Sequence, residues 1–129
     1  MALVIGIDSS TQSTKAELRD LDSGELVATG KAPHPPTQPP VSEQDPEAWW
    51  NALVAAVQQL GDRRSEAVAI SVAGQQHGLA LVDEDGSSLR PAKLWNDTTS
   101  APNADRLVEE LGADWWSSET GSVLSLIHI

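Results

Sequence analysis

A chain of 129 residues with 40% hydrophobic content, a formal net charge of -11 and no cysteine has room for one core and excludes several classes at once. The acidic balance argues against sequence-independent nucleic-acid binding, and the absence of thiols excludes a disulfide framework and thiolate metal sites. His34, His77 and His128 are too scattered for a zinc motif, and no apolar run approaches the roughly 18 residues of a membrane span. No basic-then-apolar order of a signal peptide precedes the first strand pattern, so the expected setting is reducing and cytoplasmic.

Leu3, Val4, Ile5 and Ile7 form a nearly continuous apolar run that predicts a strand buried on both faces. It ends on Asp8, followed by the small polar residues Ser9, Ser10, Thr11 and Gln12 and a second strand, Ser13–Asp20. Such a turn offers backbone N–H and hydroxyl donors to an anion, while the carboxylate can hold a hydrated Mg²⁺. The same residues fit a plain hairpin whose aspartate starts the turn. Asp22-Ser23-Gly24 signals another turn and Glu25–Lys31 a returning strand, completing a three-stranded antiparallel meander. Pro33 to Pro40 holds five prolines and should run extended over the surface, as a rigid connector or as a ligand for a proline-binding module.

Asp45-Pro46-Glu47 is a helix start with cap, first-turn proline and acidic residue in order. Trp49, Leu53, Ala56, Val57 and Leu60 follow at helical spacing, and Gly61 ends the helix. Val68, Ile70 and Val72 alternate with small residues, as in a strand covered on both sides. Leu79–Asp83 is a short strand, Asp85-Gly86 a hairpin turn, and Leu89–Trp95 an edge strand broken by Pro91. A loop at Asn96–Thr99 leads into a helix with Ala104, Leu107, Val108 and Leu111 on its apolar face and Gly112 as its stop. Ala113–Ser118 adds one more helical turn, with Trp115 and Trp116 partly packed.

Two loops carry candidate chemistry besides the first hairpin. Gly74-Gln75-Gln76-His77-Gly78 follows a buried strand, where open α/β sheets bind ligands. Its glycines allow a sharp turn, and its side chains both donate and accept, which suits a polyhydroxyl compound; a solvated polar turn is the alternative. In Trp95-Asn96-Asp97 an indole can stack on a sugar while Asn96 and Asp97 bond hydroxyls. On local grounds a core Trp95 with an Asx turn is preferred there. No phosphate loop of the GxxxxGK[ST] or GxGxxG kind is present, nor an argued nucleophilic triad.

Taken together and in order, IGIDSSTQSTK, VSEQDPEAWW, AISVAGQQHG and RPAKLWND resemble the FGGY family of carbohydrate kinases, from Leu3 to about Gly121. The resemblance implies an α/β, actin-like and ribonuclease-H-like fold. This chain would be the partial N-terminal domain, with a mixed sheet and flanking helices. It implies ATP-dependent phosphorylation of D-xylulose to D-xylulose 5-phosphate, in pentose catabolism, with Mg²⁺. Asp8 matches the family's N-terminal aspartate, near metal and phosphate, reaching Mg²⁺ through water. Ser10 and Thr11 fall in its first phosphate motif, and Gln76 and His77 match the pair on the sugar. Trp95, Asn96 and Asp97 match a loop lining the sugar pocket, and Thr120-Gly121 a family dipeptide. Gln76-His77 is of the xylulose type rather than the charged pair of glycerol kinases.

Two departures matter. The family often has glycine where Ser10 stands, and glycine allows the closest backbone approach to phosphate. The match also stops near Val123, while family members continue into the aspartate general base and the adenine-binding half. Residues 1–121 are therefore expected to be part of the first kinase domain and residues 122–129 an anomalous tail. On that expectation the partners are sugar, ATP and the remainder of the kinase chain, with no nucleic acid or membrane, and the chain alone is inactive. Half a domain would leave the Val68–Val72 strand and the Leu107–Leu111 helix uncovered. The alternatives are a non-catalytic sugar-binding or regulatory module of the same fold, or a kinase for another polyol.

Overall fold

The computed structural model describes residues 2–125. Strands β1 (Leu3–Ser9), β2 (Ser13–Asp20) and β3 (Leu26–Pro33) form the expected meander, β1 pairing antiparallel with β2 and β2 with β3. A two-residue strand β4 (Glu43–Gln44) leads into helix α1 (Pro46–Gln58). A 3-10 turn at Asp62–Glu66 then delivers β5 (Ala67–Gly74), which lies parallel to β1 and gives a mixed sheet of order β3-β2-β1-β5. Strand β6 (Ala92–Lys93) pairs with β4, and helices α2 (Ala101–Leu111) and α3 (Ala113–Thr120) follow.

The helix signals act as their chemistry requires. The Asp45 carboxylate accepts the Glu47 N–H at 3.0 Å, with Pro46 at the first helical position. Gly112 breaks α2 from α3 and Gly121 ends α3, both at positive φ. α3 runs through Thr120, longer than the single turn expected, with the Trp115 and Trp116 rings edge to face at 5.1 Å. The Trp116 indole donates to the Leu107 carbonyl at 3.2 Å, which ties α3 back onto α2.

The core forms where α1 lies over β2 and β3. Ala52, Ala56 and Leu60 bury against Leu3, Ile5, Ile7, Ala16, Leu18 and Ala32. Alanines on the inner face of α1 let it sit close to the sheet. At Gly30 an added Cβ would lie 2.0 Å from the Ala56 carbonyl oxygen. That neighbour is backbone and cannot rotate away, so Gly30→Ala must push α1 off the sheet. Overpacking of this kind costs about 1–3 kcal/mol, and chemical denaturation should show it as a lower midpoint; an unchanged midpoint would mean the contact is softer than drawn.

Two burial expectations are corrected. β1 is buried on one face only: Leu3, Ile5 and Ile7 point into the core, whereas Gly6 and Asp8 are exposed. β5 is not covered at all, with Val68, Ile70 and Val72 each more than half exposed. The reason is the placement of α1, which reaches β1 only at its margin and leaves the β5 edge bare. β5 is thus uncovered as half a domain would leave it, and Leu111 on α2 is also exposed.

The expected strand Leu79–Asp83 reduces to isolated bridges, Leu79 with Lys93 and Val82 with Ser88. Its apolar side chains find no face to bury, and Leu79, Leu81 and Val82 stay exposed. The turn after it is real: Gly86 has φ 82, and the Asp83 carboxylate accepts the Asp85 and Ser87 N–H groups. The proline segment runs along the surface, anchored by buried His34, whose N–H donates to the Gln12 carbonyl. The expectation of an anomalous tail falls in part on residues 126–129, outside the described residues.

Candidate functional site

β1 and β5 end level with one another, Asp8 beside Ala73 and Ser9 beside Gly74. The turn after β1 and the loop after β5 therefore leave the sheet at one edge, side by side. The loop after β6 closes the third side. Between them lies a cleft of about 1070 Å³, whose lining includes Ser10, Thr11, Gln75, Gln76, His77, Lys93, Trp95 and Asp97, together with Ser122 and Leu124. Two of these stretches meet because parallel pairing puts both strand ends on one side, and the third is joined to them by the backbone bonds between Leu79 and Lys93.

Of the residues singled out in the sequence, Ser10, Thr11, Gln76, His77, Trp95 and Asp97 share this cleft. Asp8 and Asn96 are not on its wall. The Asp8 carboxylate is half exposed and pairs through Oδ2 with Lys15 Nζ at 3.1 Å, across the β1–β2 register. Asn96 keeps Oδ1 buried without a partner among the described residues.

The Gln-Gln-His loop turns differently from expectation. Neither Gly74 nor Gly78 has positive φ; the left-handed residue is His77, at φ 61. Histidine tolerates that region better than most side chains, and a non-glycine residue held there marks a place where surrounding contacts fix the backbone. Gly78 serves close approach instead, because a Cβ there would stand 3.1 Å from the Lys93 carbonyl oxygen. That same carbonyl accepts the Leu79 N–H at 2.9 Å, so the loop is stitched directly to β6.

Asp97 is the most heavily bonded side chain of the site. Its Oδ2 accepts the Ser42 N–H at 2.8 Å, and Oδ1 accepts the Thr99 N–H at 3.0 Å, the Thr99 hydroxyl at 2.5 Å and Lys93 Nζ at 3.0 Å. Burial alone would raise its pKa, but the donors of Thr99, Ser42 and Lys93 prevail and hold the carboxyl well below the usual carboxylate range. Lys93 is pushed up chiefly by its bond to Asp97, against some desolvation, with Glu43 adding to the effect. Asp97 therefore lines the cleft with its oxygens already engaged by the protein. Its bond to the Thr99 N–H is an Asx turn, as the local reading preferred. The accompanying core Trp95 is not found, since that indole is half exposed.

A depressed native pKa has a definite consequence. Native Asp97 binds fewer protons than unfolded Asp97, so its contribution is complete above the unfolded value of about 3.9 and is lost as pH falls through the lower native value. Stability measured by denaturation should thus fall with acid in that window, and Asp97→Asn should flatten this limb. The substitution should also cost about 1–3 kcal/mol at neutral pH by disturbing buried donors. Equal acid limbs in the two proteins would contradict the assignment.

Two further side chains hold the turn in ways the sequence did not indicate, Gln44 and, from the loop already singled out, Gln75. Buried Gln44 donates through Nε2 to the Thr11 carbonyl at 3.0 Å and the Pro35 carbonyl at 2.6 Å, and accepts the Trp49 indole N–H at 2.7 Å. It fixes the backbone of the turn from behind. Gln75 reaches the same turn, accepting from the Thr11 hydroxyl at 3.3 Å and donating to the Ser10 carbonyl at 3.4 Å. Only the register that places β4 and the β5 loop around the hairpin reveals either role.

Comparison with known proteins gives a consistent picture. The profile of the FGGY family of carbohydrate kinases, N-terminal domain, matches residues 3–128. The chain is 52% identical over 122 residues to the xylulose kinase of Streptomyces rubiginosus, covering 94% of this chain and 25% of that protein. It is 52% identical over 124 residues to the xylulose kinase of Streptomyces coelicolor, covering 95% of this chain and 26% of that protein. Among solved structures, the xylulose kinase of Bifidobacterium adolescentis superposes with a TM-score of 0.86 at 38% identity, over 97% of this chain and 27% of that one. The chain thus spans about a quarter of the length of these relatives.

Proposed function

Because this chain belongs to the FGGY family of carbohydrate kinases and has their actin-like fold as a partial domain, we propose that it forms one wall of a kinase active site that phosphorylates D-xylulose from ATP. The observation that carries this reading is the convergence of the hairpin turn, the Gln76-His77 loop and the Trp95 loop on one cleft. A turn of hydroxyls and backbone N–H groups suits a phosphate, and the neighbouring amide, imidazole and indole suit a sugar. Their adjacency suits transfer between the two.

In this reading the backbone at Ser10 and Thr11 faces the transferring phosphate. Gln76 and His77 bond sugar hydroxyls, and the Trp95 ring offers an apolar face to the sugar carbons. Asp97 holds the loop that carries Trp95 and Asn96. Among the described residues no three His, Asp or Glu side chains group to form a metal cage. Mg²⁺ does not need one, since it keeps water and phosphate ligands around one or two carboxylates. Half-exposed Asp8, with Oδ2 on Lys15, fits such a single carboxylate, directly or through water. Bound there with ATP, the ion would neutralise charge on the phosphoryl group.

The base that takes the sugar proton and the adenine site are assigned to the remainder of a full-length kinase, in keeping with the quarter-length coverage. A cytoplasmic setting follows from the substrates, and no helix among the described residues is long and apolar enough to cross a membrane. The test is ATP-dependent phosphorylation by the full-length protein across D-xylulose, other pentuloses and glycerol. The reading expects D-xylulose to have the highest kcat/KM. Preference for glycerol would replace the substrate, and sugar binding without any turnover would make the protein a non-catalytic module.

A further inference from the structure

Thr11 and Trp95 lie 84 residues apart, yet the Trp95 indole N–H donates to the Thr11 hydroxyl at 3.0 Å. The Thr11 hydroxyl hydrogen points in turn to Gln75 Oε1 at 3.3 Å. A threonine hydroxyl has one donor and two acceptor positions, so it can serve both neighbours at once. With these bonds made, it has no hydrogen left for a phosphate. We propose that the Thr11 hydroxyl is a positioning group that fixes the Trp95 indole and the Gln75 amide on the phosphate turn, so that the sugar side of the cleft is set from the phosphate side. The proposal rests on the reading of this cleft as a sugar-and-phosphate site.

The surroundings isolate this role. The backbone of Thr11 is held independently, by buried Gln44 braced on Trp49 and Pro35. The backbone beyond Trp95 is held independently too, through Asp97 to Ser42 and Thr99. What neither anchor controls is the orientation of the half-exposed indole, and the Thr11 hydroxyl is the group that receives its N–H. Removing that hydroxyl leaves both loops in place and frees the ring. Phosphate at the turn and sugar against the indole would then no longer reinforce one another.

Thr11→Val removes the hydroxyl at nearly constant shape, and Thr11→Ser keeps it. In the full-length protein with 15N-labelled indoles, the Trp95 N–H resonance, assigned with Trp95→Phe, should exchange with water about fivefold faster in Thr11→Val and within about twofold of wild type in Thr11→Ser. In the kinase assay Thr11→Val should raise the KM for D-xylulose about three- to tenfold while kcat changes less, with Thr11→Ser restoring it. Unchanged indole exchange in Thr11→Val overturns the proposal whether or not a pentulose is turned over. Faster exchange with an unchanged KM, in an enzyme that does phosphorylate D-xylulose, overturns the link to the sugar side. Absence of turnover in wild type counts against the kinase reading alone, and the exchange rates still decide the tie.

Discussion

Asp8→Ala in the full-length kinase should lower kcat by about 10²–10³-fold while the KM for D-xylulose stays within about threefold. The asymmetry follows from position. Asp8 sits near the end of β1, two residues before the cleft wall begins at Ser10, with its carboxylate half exposed and paired with Lys15. In the proposed function it reaches a metal–phosphate assembly over the turn and does not touch a sugar beside His77. Phosphoryl transfer depends on neutralising charge and holding the group in line, so losing this carboxylate should act on the transition state. Fold stability should barely change, because an exposed ion pair contributes little. Steady-state kinetics against sugar, with the melting curve as control, separate these outcomes. A large rise in KM with kcat preserved would move Asp8 to the sugar side.

His77→Ala should do the reverse, weakening D-xylulose binding about tenfold, the size expected when a ligand hydroxyl loses a hydrogen-bond partner. His77 lines the cleft from a left-handed backbone position that aims it away from the run of the strand. Alanine keeps the loop length but removes the ring, so direct titration with sugar is the proper readout. ATP affinity should stay unchanged in the same experiment. Equal sugar affinity in the variant and wild type would remove His77 from the site.

The capped start at Asp45, the β2 boundaries and the glycine stop at Gly112 were legible because each is a local event with a local signature. The meander was legible because short turns force antiparallel neighbours. Burial was harder, since an apolar strand reports its capacity to be covered and not the element that covers it. Val68, Ile70 and Val72 have that capacity, and α1 lies over β2 and β3 instead.

The site divided along the same line. Residue types suited to phosphate and sugar could be picked from three stretches, and the parallel pairing of β1 with β5 is what brings two of them together. The interior wiring was invisible in advance. Nothing in VSEQDPEAWW says that Gln44 will turn inward to hold the Thr11 carbonyl. Nothing in LWND separates an aspartate that binds ligand from one bonded to Ser42, Thr99 and Lys93. Tertiary hydrogen bonds depend on register between distant segments, and local composition does not encode that register.

The decisive distance is that from the terminal hydroxyl of bound D-xylulose to the phosphoryl group above Ser10 and Thr11, in a crystal structure of the full-length protein with sugar, Mg²⁺ and a non-hydrolysable ATP analogue. The sugar should lie against His77 and Trp95 with that hydroxyl about 3–3.5 Å from the phosphorus, or closing on it along an open line. A sugar seated away from His77, or a phosphate chain that never nears the Ser10–Thr11 turn, would contradict it.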